Sequence, residues 1–247
     1  MPSKRTAFVT GGLGCIGTAI ARQLHDHGHH VLVGYYPAED FQSWQTAQSA
    51  DGYDFKCYAV DVADNDSTRT CVEKIHADDH HIDILVNSAG ITRDATLRKM
   101  SLAQWQDVLR TNLGSMFNMT QPLLDPMLDK GWGRVINISS VNGSKGAFGQ
   151  TNYSAAKSGI YGFTKALALE TARKGITVNA VSPGYIDSPM VAEVPQETLE
   201  KHILTEIPMG RLGKPQEIAA MVGFLASDEA AFITGANMPV NGGQHLY

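Results

Sequence analysis

The sequence predicts a single-domain α/β fold, a doubly wound parallel sheet with helices on both faces, and three observations carry that expectation. Short apolar runs alternate with longer stretches of helical periodicity through the first three-quarters of the chain, as repeated βαβ units do. The runs are short and mostly apolar, which suits strands covered on both sides. The 247 residues, 43% hydrophobic and 18% charged, contain no linker, repeat or low-complexity tract that would divide them.

Strands are expected at residues 7–9, 31–33, 55–60, 82–86, 135–138 and 176–181, with helices at 16–27, 41–50, 67–77, 101–127 and 153–174. Ser101 followed by Gln104 has the spacing of a capping box. Gly28 and Gly175 stand where helix C-caps fall. A last strand is expected at 238–240; Pro239 lacks a ladder donor, so it belongs at an edge or a bulge.

A net charge of -5 and a pI near 6.0 give no basic field for a polyanion, so the partners expected are small molecules, with no nucleic acid. No apolar run is long enough to span a bilayer and no signal-peptide core is seen, which predicts a cytoplasmic protein with no membrane partner. Cys15, Cys57 and Cys71 have neither a disulfide framework nor a metal spacing. His25, His27, His29 and His30, with His80 and His81, fall at expected helix ends and read as solvated caps, with no metal site.

Residues 10–17, Thr-Gly-Gly-Leu-Gly-Cys-Ile-Gly, join the first strand to the first helix. Gly11, Gly12, Leu13, Gly14, Ile16 and Gly17 there form a turn that admits a pyrophosphate close to the backbone, beside a helix N-terminus that attracts its charge. Gly12-x-Gly14-x-x-Gly17 satisfies the dinucleotide fingerprint. Downstream, Tyr153 and Lys157 lie four apart on one helix face, where an ammonium is expected to lower the tyrosine pKa and make it a usable proton donor. Ser140, at the end of a strand thirteen residues before Tyr153, supplies a hydroxyl; Ser139 is its local competitor.

These residues resemble the short-chain dehydrogenase/reductase family over almost the whole chain. The turn resembles its T-G-x-x-x-G-x-G pattern, with Cys15 in place of the middle glycine. Asp61-Val62 and Asn87-Ser88-Ala89-Gly90 resemble its adenine-contacting pair and N-N-A-G turn, with Ser88 replacing an asparagine. The resemblance selects Ser140 over Ser139 and implies a catalytic set of Asn112, Ser140, Tyr153 and Lys157, on a Rossmann-type fold. In it Ser140 holds the substrate carbonyl, Tyr153 protonates it, and Asn112 holds a water behind Lys157. Pro183, Gly184, Tyr185, Ile186 and Ser188 resemble the loop over a nicotinamide. By the same resemblance the cofactor part spans about 1–135 and the catalytic and substrate part about 136–247. Residues 187–210 are expected to be a lid, with an ordinary surface helix pair as the alternative.

The second strand ends in Tyr35 and Tyr36, and residues 33–40 hold Glu39 and Asp40 but no cation, which favours NADH over NADPH. Residues 90–94, 131–134, 141–146 and 148–153 resemble the bacterial acetoacetyl-CoA reductases of polyhydroxyalkanoate synthesis. That likeness implies an acyl-CoA thioester substrate, a product of R configuration and a homotetramer. It also places Asp94, Ala147, Phe148, Gly149, Gln150 and Tyr185, with Ser140 and Tyr153, along the acyl chain. A 3-oxoacyl-[acyl-carrier-protein] reductase is the alternative; the acidic chain favours the CoA ester, because the carrier protein is acidic too. A catalytically silent dinucleotide sensor is the remote alternative.

Overall fold

The computed structural model describes residues 4–188, 191 and 196–246. Seven parallel strands form one sheet in the order β3-β2-β1-β4-β5-β6-β7. They are β1 Thr6–Thr10, β2 His30–Tyr35, β3 Lys56–Ala59, β4 Ile84–Asn87, β5 Gly133–Ile138, β6 Ile176–Pro183 and β7 Asn237–Val240. The order reverses between β1 and β4, and the crevice above such a switch point is where ligands bind in open α/β sheets. Pro239 sits in β7, the edge strand its missing donor requires.

Helices α1 (Cys15–Asp26) and α2 (Phe41–Ala50) cover one face, and α3 (Asn65–Ala77) and α5 (Ser115–Lys130) the other. Also on that second face is α7 (Thr151–Thr171). A helix not foreseen from the sequence, α8 (Pro215–Ala226), packs along α1 and buries Ile218, Val222 and Leu225. One core therefore lies on each side of the sheet, and the alternation of hydrophobic strands and amphipathic helices is what builds them.

The expected long helix is three pieces. After the Ser101 capping box, α4 (Leu102–Leu109) passes into a π-turn, Arg110–Gly114, and then α5. The α7 helix begins two residues before Tyr153 and ends in a 3-10 turn, Ala172–Lys174, closed by Gly175 at φ +75°. A short helix, α6 (Val141–Lys145), follows β5 with Ser140 as its N-cap.

The histidines are not simply solvated caps. His25 lies in the last turn of α1 and His27 caps it, but Nδ1 of His29 and Nε2 of His30 are buried without a partner, and burial lowers both pKa values. The cause is the tight Gly28 return, which starts β2 at His30 and seats its ring 4.8 Å from that of His80. Among the described residues, no group of three His, Cys, Asp or Glu could hold a metal. No described helix is long and apolar enough to cross a membrane.

Candidate active site

The turn after β1 has the shape a pyrophosphate needs. Gly11 has φ +61°, and a Cβ there would lie 2.8 Å from Ala89 Cα. A Cβ on Gly17 would lie 2.3 Å from the Gly11 carbonyl, and one on Gly12 would lie 2.4 Å from Val33 Cγ1. These glycines are sterically obligatory; Gly14, at 3.3 Å, is less so. Gly14 N-caps α1 without a side-chain hydrogen bond, so no side chain occupies the helix N-terminus. The Cys15 side chain departs sideways, its Sγ donating to the Asp187 carbonyl at 3.5 Å. Burial and Asp187 raise its thiol pKa.

A cleft of about 510 Å³ runs from this turn to β5 and β6, lined by Gly11, Gly14, Cys15, Ile16, Gly17, Ser88, Ala89 and Gly90. Its far wall carries Pro183, Gly184, Tyr185, Ile186 and Ser188 beside Ser140, Gln150, Tyr153 and Lys157. A second hollow, also about 510 Å³, adjoins it at Gly11 and Gly90 and is lined by Tyr35, Tyr36, Glu39, Asp61 and Val62, where an adenosine would lie. Glu39 lines both, its carboxylate accepting from the Tyr36 amide at 2.7 Å. Asp40 instead N-caps α2. The hollow's Arg110 is paired with Asp107 at 2.8 Å, and Arg93 donates to the Thr92 carbonyl. The glycine contacts and this lining fit a nicotinamide dinucleotide.

Three residues expected at the cofactor lie elsewhere. Gly12 lies beneath Val33 and Leu13 packs against the core; neither lines the cleft. Asn87 is buried, its Nδ2 donating to Asn137 Oδ1 at 2.9 Å, so it ties β4 to β5. The adjacent Ser88 and Ala89 amides donate to Thr10 Oγ1, fixing the N-S-A-G turn against β1.

The catalytic candidates converge at the ends of β5 and α7. Tyr153 and Ser140 stand together in the cleft wall. The Ser140 Oγ accepts from the Asn142 amide at 3.1 Å, and its carbonyl accepts from the Tyr161 hydroxyl at 2.8 Å. Ser139 is turned away, donating to the Lys157 carbonyl at 2.8 Å. Lys157 Nζ lies 5.6 Å from the centre of the Tyr153 ring and donates to the Ile138 carbonyl. Asn112 stands in the π-turn, wholly buried, its amide bonded at both ends to the Ile91 backbone at 2.8 Å.

One electrostatic expectation is corrected. The Tyr153 pKa is raised, not lowered: burial raises it, Ser140 opposes the rise, and Asp94 and Tyr161 add to it. The ammonium is directed at a backbone carbonyl instead, and its own burial lowers its pKa to about 8. Tyr153 is therefore held protonated, the form that donates.

Of the expected substrate residues, Ser140, Gln150, Tyr153 and Tyr185 line the cleft. Asp94 reaches it through Gln150, which donates to its carboxylate at 2.7 Å. Ala147, Phe148 and Gly149 do not line it, and Phe148 is 96% exposed. Asn142, which sequence reasoning did not single out, does. The expected lid falls partly outside the described residues, at 189–190 and 192–195; its remainder includes short helical turns and an ion pair of Glu206 with Lys145 at 2.8 Å.

A parallel sheet with a glycine turn at its switch point and a Ser-Tyr-Lys cluster across the cleft defines a nicotinamide-dependent short-chain dehydrogenase/reductase. A family model described as enoyl-(acyl carrier protein) reductase matches residues 12–245, and the chain belongs to this family of short-chain dehydrogenases/reductases. It is 51% identical to the acetoacetyl-CoA reductase of Cupriavidus necator over 245 residues, 99% of each chain. It is 48% identical to that of Allochromatium vinosum over 98% of this chain and 99% of the relative. The 3-oxoacyl-[acyl-carrier-protein] reductase of Pseudomonas aeruginosa is 44% identical, over 98% of each.

Proposed function

We propose that this chain reduces acetoacetyl-CoA to (R)-3-hydroxybutanoyl-CoA, with NADH favoured over NADPH, in the cytoplasm and as part of polyhydroxybutyrate synthesis. The observation that carries the chemistry is Tyr153 beside Ser140 in the cleft's far wall, its ring centre 5.6 Å from Lys157 Nζ, with burial keeping its hydroxyl protonated. Ser140 and Tyr153 hold the substrate's 3-oxo oxygen, and Tyr153 releases its proton to it. The bound nicotinamide supplies hydride to the carbonyl carbon. Lys157 restores the proton through its ammonium, and Asn112 fixes the turn behind it. The residues of the two hollows up to Gly90 hold most of the cofactor, within a part of the fold running to about residue 135, and Pro183, Gly184, Ile186 and Ser188 cover its nicotinamide.

Likeness to two acetoacetyl-CoA reductases supports the CoA thioester over the carrier-protein ester. The test compares kcat/KM for acetoacetyl-CoA and acetoacetyl-[acyl-carrier protein]; equal or better use of the carrier ester would reverse the choice. Exposed Phe117 and Leu169 on α5 and α7 support a homotetramer. Light scattering is expected to give four times the chain's 26.7 kDa, and a monomer would contradict it.

A further inference from the structure

A chain of three side chains runs behind Ser140. Asp94, exposed at one end, accepts from Gln150 Nε2 at 2.7 Å; Gln150 Oε1 accepts from Asn142 Nδ2 at 3.0 Å; and the Asn142 backbone amide donates to Ser140 Oγ at 3.1 Å. We propose that Asn142 is a positioning residue for the reaction, set in direction by Asp94 through Gln150, and that its role is to keep the Ser140 hydroxyl aimed at the substrate carbonyl. This rests on the reductase reading above.

The direction of the chain follows from its end. A carboxylate only accepts, so Gln150 must turn its NH₂ toward Asp94 and its oxygen toward Asn142. Asn142 must then present its NH₂, which leaves Asn142 Oδ1 buried without a partner. The opposite arrangement would set the Gln150 oxygen against the Asp94 carboxylate. A buried acceptor without a donor costs stability, and a packed apolar side chain would avoid that cost.

The arrangement acts on Ser140. Its Oγ accepts from Asn142 and its carbonyl from Tyr161, so the serine is held at two points. Its hydroxyl hydrogen is left as the donor toward Tyr153 and a bound oxygen. The α6 turn carrying Asn142 is only five residues long, with glycine at its third position, so it does not hold the serine rigidly by itself. The Gln150 link anchors that turn to the start of α7, the helix that bears Tyr153. Tyr153 is faced by Asp94, Tyr161 and Lys157, and the Asp94 charge opposes its deprotonation.

The test uses the full-length enzyme and whichever 3-oxoacyl thioester the wild type reduces, so a wrong thioester assignment leaves the ratios readable. Asn142→Leu and Gln150→Leu are each expected to lower kcat about tenfold, with the nicotinamide KM within about twofold, because small misplacements of a catalytic group cost this much. The double variant is expected to be no slower than the worse single one, since the two act in one chain. Asp94→Asn, a change at an exposed position, frees the Gln150 amide to turn over and is expected to lower kcat; adding Gln150→Glu, whose carboxylate accepts from both neighbours, is expected to restore it, which a merely structural role would not do. Asn142→Leu retaining half of kcat, additive losses in the Asn142→Leu/Gln150→Leu double variant, or no rescue of Asp94→Asn by Gln150→Glu would overturn the proposal. Should Asn142→Leu fail to fold, that rescue decides alone.

Discussion

Lys157 Nζ donates to the Ile138 carbonyl at 2.8 Å, so the ammonium in the catalytic cleft is anchored to the sheet, not to the tyrosine it serves. Burial lowers its pKa from 10.5 to about 8, which at neutral pH is a cost of ~3 kcal/mol against the unfolded chain. Lys157→Met is therefore expected to abolish turnover and yet stabilise the fold at pH 7. The gain is ~1–2 kcal/mol once the orphaned Ile138 carbonyl is counted. A group whose folded pKa is depressed below 10.5 recovers stability as pH rises through about 8, so the variant's advantage shrinks in alkali. Urea unfolding of both proteins at pH 7 and near pH 9.5 checks this; an equal gap at both values would contradict it.

Cys15 stands where the family pattern has glycine, but its thiol is bonded to Asp187, away from the Gly11–Gly17 turn. Cys15→Ala is therefore expected to change NADH affinity by less than about threefold. Because the raised thiol pKa lowers the thiolate fraction, iodoacetamide at pH 7.5 is expected to modify it more slowly than free cysteine, and NADH to slow it further. Fluorescence titration and mass spectrometry give the two numbers.

Glu39 faces both hollows, and of the two nearby cations Arg110 is paired with Asp107 while Arg93 donates to the backbone. A 2′-phosphate there meets a carboxylate, at ~1–3 kcal/mol or roughly 5 to 150-fold in affinity. The kcat/KM for NADH is expected to equal or exceed that for NADPH. A preference for NADPH beyond about tenfold would mean that Arg93 or Arg110 exchanges partners to reach the phosphate.

Much of this architecture is legible in the sequence, because burial on both faces makes the central strands β1, β2 and β4 largely apolar and the glycine turn is tightly packed. Helix α8 is not, because beyond its first turn it is apolar on nearly every side, so periodicity carries little signal. The pairing of Tyr153 with Lys157 is legible as spacing, but its electrostatics are not. Sequence shows that an ammonium is near, not that Ile138 claims it or that burial outweighs it. Asn87 and Asn142 exchange expected importance for a similar reason. A hydrogen-bond partner fifty residues away on β5 decides the first, and a loop contact to Gln150 decides the second.

Tyr153 as the proton donor in reduction of a 3-oxoacyl thioester is tested most directly by steady-state oxidation of NADH by acetoacetyl-CoA, wild type against Tyr153→Phe, with nicotinamide affinity measured alongside. Loss of the hydroxyl alone is expected to cut kcat by a factor of about 10² or more, while cofactor affinity stays nearly unchanged. A variant retaining more than about a tenth of the wild-type rate, or a wild-type chain that oxidises neither cofactor with acetoacetyl-CoA, would contradict it.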